Sequence, residues 1–98
     1  MIPTNRPNHP GEFIKEDILK GFSLTQEQLA IKLGVSRRTV NQIINEKSRI
    51  NISLAIRLAK FTKTSPELWL NLQMAVDLWD AYHSSDYKNV EIVQPYAA

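Results

Sequence analysis

Arg37, Arg38, Asn41, Gln42 and Asn45 lie within one short stretch, GVSRRTVNQIINEKSRI, at residues 34–50. An arginine guanidinium forks onto the edge of guanine, and the amides of asparagine and glutamine pair with adenine, in the major groove of DNA. Lysines would supply charge but not that planar match. Placed at about 100° per residue, Arg38, Asn41, Gln42 and Asn45 gather on one side of a helix, with Arg37 at its flank. Val40, Ile43 and Ile44 take the opposite side. The pattern predicts a helix that packs on one face and reads base edges with the other, its N-terminal residues foremost. Phosphate contacts, which position a protein without reading sequence, are expected from Gln26, Ser36, Thr39, Lys47 and Arg49. Gln26 would stand at the start of the preceding helix, where exposed N–H groups add a dipole contact. Lys47 and Arg49 would clamp beyond the end of the reading helix.

Two helices crossing near a right angle must hold that face in place, and the sequence supplies them. Leu29, Leu33, Val40 and Ile43 are apolar where the two helices share a core, and Ala30 is small at their closest approach. Gly34 occupies the tight turn, where a positive φ is needed and a Cβ would be strained. Val35 covers the turn from below. Together these make a helix-turn-helix.

The capping residues extend that reading along the chain. Pro10 suits a first helical turn and Gly21 the end of that helix. Thr25 and Gln28 have the spacing of a capping box, flanked by Leu24 and Leu29 as a hydrophobic staple. Ser36 caps the third helix, with Val35 and Val40 repeating the staple. Asn51 caps a fourth, and Ser65-Pro66 begins a fifth that runs to about His83. The expectation is an all-α protein with five helices between residues 10 and 83. Residues 84–98 break the pattern: Tyr87 to Gln94 alternate roughly and include β-branched residues, reading as a short strand, an arm or a disordered end.

The fifth helix is apolar around its girth. Leu68, Leu72, Ala75, Trp79 and Tyr82 form one stripe, while Trp69, Leu70, Met74, Val76 and Leu78 fall outside it. A helix of this kind must be covered on more than one side. A second copy related by a two-fold axis is the simplest cover, and Trp and Tyr are favoured interface anchors. Leu68, Trp69, Leu72, Val76, Trp79 and Tyr82 are the residues expected at that homodimer interface. Burial of the helix in the centre of a single chain is the competing explanation.

Charge divides the chain. The 98 residues carry a net +2. Residues 25–63 hold eight cations against two carboxylates, a net +6, whereas residues 64–98 hold one cation against five carboxylates, a net −4. A basic middle and an acidic end imply two partners, one of them polyanionic. There is no cysteine, hence no disulfide or thiolate site. No run of about 18 apolar residues suggests a membrane span, and MIPTNRPNHPGEF lacks the layout of a signal peptide. A cytoplasmic protein is expected. Catalysis is not: His9 and His83 have no carboxylate constellation near them in sequence, Glu12, Glu16 and Asp17 suit a helix start, and no phosphate-binding glycine loop is present. Neither a metal nor a cofactor is expected.

The segment from Leu24 to Gln73, LTQEQLAIKLGVSRRTVNQIINEKSRINISLAIRLAKFTKTSPELWLNLQ, resembles the Xre/Cro-type helix-turn-helix family. The preceding HPGEFIKEDIL and the later TSPELWLNLQMAVDLW are similar to the HigA/VapI-type antitoxins within it. The resemblance covers residues 9–83 and implies a five-helix bundle with a lambda-repressor-like helix-turn-helix. Residues 1–83 would form that DNA-binding domain with a dimerising fifth helix, and residues 84–98 a C-terminal tail. It further implies a homodimer that binds double-stranded DNA at a palindromic operator, represses its own operon and neutralises a HigB-type, mRNA-cleaving toxin. A stand-alone Xre-type repressor without a toxin is the alternative. Candidate docking surfaces for a basic toxin are the acidic residues 64–98, a strand-adding tail at Val90–Gln94 and the segment Pro7–Phe13.

Overall fold

The computed structural model describes residues 4–97. Among them every regular element is helical. α1 (Pro10–Phe13) runs on without a break into a π-helical stretch, Ile14–Lys20; then come α2 (Gln26–Leu33), α3 (Arg37–Ile44), α4 (Ile52–Thr62), α5 (Pro66–Tyr82) and α6 (Tyr87–Glu91). The five helices expected between residues 10 and 83 are present. The strand considered for the tail is not: Tyr87–Glu91 is a short helix, and residues 93–97 are irregular. A lone strand has no ladder to join, whereas helical turns satisfy their own backbone. Asn89 N donates to Asp86 O at 3.0 Å, and Val93 N to Val90 O at 3.0 Å.

Each expected cap forms by a side chain reaching a backbone N–H a few residues on. Thr25 Oγ1 accepts from Gln28 N at 3.1 Å while Thr25 N donates to Gln28 Oε1 at 2.9 Å, closing the capping box. Ser36, Asn51 and Ser65 accept from Thr39 N, Leu54 N and Leu68 N. Gly34 is left-handed at φ 72°, as the turn demands. Gly21 does cap its helix, but with a right-handed φ of −61°; the positive φ in that turn falls on Ser23, at 53°.

The N-cap of α1 is His9, ahead of Pro10. Its ring is buried, and Nδ1 accepts from Gly11 N at 3.0 Å, which requires a neutral imidazole. Burial lowers the His9 pKa below the usual imidazole value; Arg6 adds to this, while the carboxylates of Glu46, Asp77 and Asp80 oppose it. A depressed folded pKa means the contribution is fully present above the unfolded value of about 6.5 and is lost as pH falls from there through the folded value. Urea unfolding is expected to give a lower midpoint at about pH 5 than at about pH 7. His9→Asn, which keeps a capping acceptor but does not titrate, should flatten that difference. If wild type and variant lose stability equally on acidification, His9 is not the sensitive group.

The core gathers Ile14 and Ile18 from the first helix, Leu29, Ala30 and Leu33 from α2, Val40 and Ile43 from α3, four residues of α4 and Trp69 of α5. Alanines at 30, 55 and 59 are buried where helices approach closely. Trp69 and Val76, expected at a dimer interface, belong instead to the protomer interior at 4% and 0% exposure. The Trp69 indole N–H donates to Thr64 Oγ1 at 3.1 Å, anchoring it beneath the α4–α5 turn. The physical reason is rotation: α5 turns its Trp69–Gln73–Val76 side inward and leaves Met74 and Leu78 bare, at 56% and 50% exposure.

Candidate nucleic-acid interface

α2 and α3 enclose the turn at Gly34, and α4 secures it from behind. Arg57 Nη1 donates to Leu33 O at 2.8 Å, satisfying a carbonyl that the end of α2 leaves open. Nothing in the sequence around Arg57 distinguishes it from a solvent-facing cation, so sequence reasoning missed this role. With its other face held by Val40 and Ile43, α3 turns Arg37, Arg38 and Asn41 to solvent and leaves Gln42 half-buried. Among the described residues, the side chains of Arg37, Arg38 and Gln42 make no hydrogen bond or ion pair within the chain. Their donors stand free.

The remaining polar residues are already interconnected. Asn45, the C-cap of α3, donates through Nδ2 to Asn41 O at 3.0 Å and Asn41 Oδ1 at 3.2 Å. Asn41 Nδ2 in turn donates to Gln26 Oε1 at 3.2 Å, across the helix-turn-helix. This chain of amides leaves the Gln26 NH2 group as an outward donor. Ser36 and Thr39 share a hydroxyl–hydroxyl hydrogen bond of 2.9 Å beside the cap bond, so both serve the start of α3. Lys47 is exposed. Arg49 is paired with Asp77 of α5, its Nε donating to Oδ2 at 2.8 Å and Nη2 to the same oxygen. A recess of about 270 Å³ opens between α3 and the following loop, lined by Arg38, Gln42, Ser48, Arg49 and Asn51.

The loop is braced from two sides. Asp77 Oδ1 accepts from Gln73 Nε2 at 3.0 Å, and Gln73 Oε1 accepts from Ile50 N at 2.8 Å. Gln73 is 2% exposed, so this bond relieves a backbone N–H that has no water. Arg6 forks onto Asp80 with bonds of 2.8 and 3.0 Å and reaches Glu46 at 3.0 Å. The Arg6 guanidinium holds the Asp80 carboxyl below its usual range. Arg49 of the basic middle segment and Arg6 of the N-terminal segment thus meet the acidic residues of α5 at one junction.

Two helices crossing at a left-handed glycine, with a polar outer face on the second, define a helix-turn-helix protein. The helix-turn-helix family profile matches residues 16–69. An HTH-type transcriptional regulator of Haemophilus influenzae is 42% identical over 85 residues, spanning 87% of this chain and 79% of the relative. Antitoxin HigA-1 of Vibrio cholerae is 43% identical over 75 residues, spanning 76% of this chain and 70% of its own. The Pseudomonas aeruginosa antitoxin HigA, solved with the higBA promoter, superposes with a TM-score of 0.85 at 36% identity, covering 94% of this chain and 100% of that one. The chain belongs to the Xre-like helix-turn-helix family, and HigA antitoxins are among its relatives. This is a family of regulators and antitoxins, not of enzymes. No helix among the described residues is long and apolar enough to cross a membrane.

Proposed function

We propose that this protein is a DNA-binding antitoxin that represses its own toxin–antitoxin operon as a homodimer and neutralises a HigB-type, mRNA-cleaving toxin. The observation that carries the DNA-binding part is the free donor set on α3: Arg37, Arg38 and Gln42 are unpaired among the described residues and face away from the core. Asn41 and Asn45 complete the base-reading set, pre-oriented by their link to Gln26. Gln26, Ser36, Thr39, Lys47 and Arg49 are assigned to phosphate. The relatives support the same reading, one being an antitoxin solved with its promoter. Leu68, Leu72, Trp79 and Tyr82 retain their assignment to a dimer surface; Leu68 and Tyr82 are exposed, and the Trp79 indole N–H is buried without an acceptor among the described residues. A two-fold dimer would set two α3 helices about 34 Å apart, in successive major grooves of a palindrome.

Arg49 can bind Asp77 or a phosphate, not both through the same N–H groups. Asp77→Asn removes the competing charge and keeps an oxygen for Gln73. It is expected to tighten DNA binding at low salt and to steepen the log affinity–log salt slope by about 0.9 per phosphate gained. Anisotropy titrations between about 50 and 200 mM salt measure this, and an unchanged slope would show that Arg49 does not reach the backbone.

The stand-alone repressor is the second reading, because the Haemophilus influenzae relative is described only as a regulator. Purification of the tagged chain from its native locus separates the two. A small basic protein co-eluting at equal stoichiometry supports the antitoxin. Tight binding to its own promoter with no such protein leaves a repressor.

A further inference from the structure

Arg6 stands outside the helix-turn-helix, whose profile begins at residue 16, yet it is bonded to the residue that follows the C-cap of α3. Pro10 and Gly11 are buried, and α1 lies so close to the last turn of α3 that a Cβ at residue 11 would collide with the Ile43 carbonyl oxygen. That packing delivers the N-terminal segment to the point where α3 gives way to the loop before α4. There Arg6 uses all three nitrogens of its guanidinium. Nε and Nη2 donate to the two oxygens of Asp80 at 2.8 and 3.0 Å, and Nη1 donates to Glu46 Oε1 at 3.0 Å.

Glu46 is misplaced by every local rule. It follows the C-cap of α3 at φ 58°, a left-handed position that favours glycine or asparagine. A carboxylate there meets the negative end of the helix dipole. Glu46 also stands between Asn45 and Lys47, among residues assigned above to DNA. Its compensation comes from Arg6, 40 residues away in the chain. An isolated surface ion pair contributes little, but a forked arginine shared by two carboxylates is the geometry in which such contacts hold.

The pairing has an electrostatic consequence. A recess of about 210 Å³ gathers Arg6, Lys47 and Arg49 with Glu46, Asp77 and Asp80. Three cations face three carboxylates, so this junction is neutral. His9 lines the same recess and adds no charge, since its Nδ1 accepts from Gly11 N. Without Arg6 the cluster would carry a net −1, in the loop that Lys47 and Arg49 are proposed to bring to phosphate. That charge repels a polyanion whether or not the two touch.

We propose that Arg6 is a positioning residue for DNA binding: it pins and cancels the Glu46 carboxylate at the end of α3, so that the N-terminal segment is part of the DNA-binding unit without meeting DNA itself. The inference rests on the DNA-binding reading above and adds to it a requirement on residues that precede the helix-turn-helix.

The test uses the full chain, the variants Arg6→Gln and Glu46→Gln and the double variant, with thermal melts to check folding. Each is titrated by anisotropy against a duplex from its own promoter and a scrambled duplex. Arg6→Gln is expected to weaken both by a similar factor, about threefold or more at about 10 mM salt. The loss should shrink at about 150 mM, where the screening length falls from about 30 to about 8 Å. Adding Glu46→Gln to Arg6→Gln should restore both affinities to nearly the wild-type values. Glu46→Gln alone leaves Arg6 on Asp80 and should bind at least as tightly as wild type. A double variant as weak as Arg6→Gln would show that Arg6 touches phosphate or only supports the fold, and so overturns the proposal. Wild-type affinity in Arg6→Gln overturns it too. If Arg6→Gln unfolds, Glu46→Gln alone decides, and weaker binding by that variant means the carboxylate is needed rather than silenced. Wild-type protein that binds neither duplex removes the DNA-binding reading itself.

Discussion

Gly11→Ala is expected to be among the most damaging single-methyl changes in the protein. A Cβ at residue 11 would stand 2.1 Å from the carbonyl oxygen of Ile43 and 2.9 Å from its carbonyl carbon. The obstacle is backbone, in the last turn of α3, so no rotamer change can relieve it. Overpacking in well-ordered interiors costs about 1–3 kcal/mol and occasionally more. The upper part of that range applies because the two helices must separate as rigid bodies. A loss of about 3 kcal/mol corresponds to a melting temperature lower by roughly 12–24 °C for a chain of this size. Circular dichroism melts of the two proteins measure it. A variant melting within a degree or two of wild type would show that α1 and α3 are not held this closely. Survivors of the change should also bind DNA less well, since α1 supports the helix that carries Arg37 and Arg38.

Arg38→Ala is expected to produce the largest functional effect while leaving the fold intact. Arg38 is exposed on the first turn of α3 and contributes no hydrogen bond to the chain among the described residues. A bidentate arginine–guanine contact is worth about 1–3 kcal/mol of discrimination. In the proposed dimer two half-sites double it to about 2–6 kcal/mol, so affinity for the operator should fall roughly 30- to 20,000-fold. Affinity for random DNA should fall much less, because only charge is lost there. Gel shifts on the operator and on a scrambled duplex at the same salt separate these effects. Equal losses on both would reassign Arg38 from bases to phosphate.

What was legible in the sequence follows a physical boundary. A cap, a turn or a capping box involves residues only a few positions apart, so Thr25, Ser36, Asn51 and Ser65 announced their helices without reference to the rest of the chain. Gly34 did the same for the turn, because φ is a local property. The amphipathic split of α3 was equally clear, since a single apolar side leaves only one way to pack. α5 offered no such choice. Being apolar around its girth, it had no sequence feature to tell that Trp69 and Val76 face inward while Met74 and Leu78 stay bare. The tail misled for a related reason: β-branched residues favour strands only where another strand exists to pair with them.

The amino-acid sequence by itself determined the five helices between residues 10 and 83, their caps, the turn at Gly34 and the polar outer face of α3, because each depends on neighbours within a turn or two. Only the tertiary structure decided which side of α5 is buried and that Arg57 closes the end of α2. It alone joined Arg6 to Asp80, Arg49 to Asp77, and Gly11 to the backbone of Ile43. Those partners are 74, 28 and 32 residues apart. Such pairings are set by where packed helices cross, and a crossing is a property of the assembled core that no local pattern encodes.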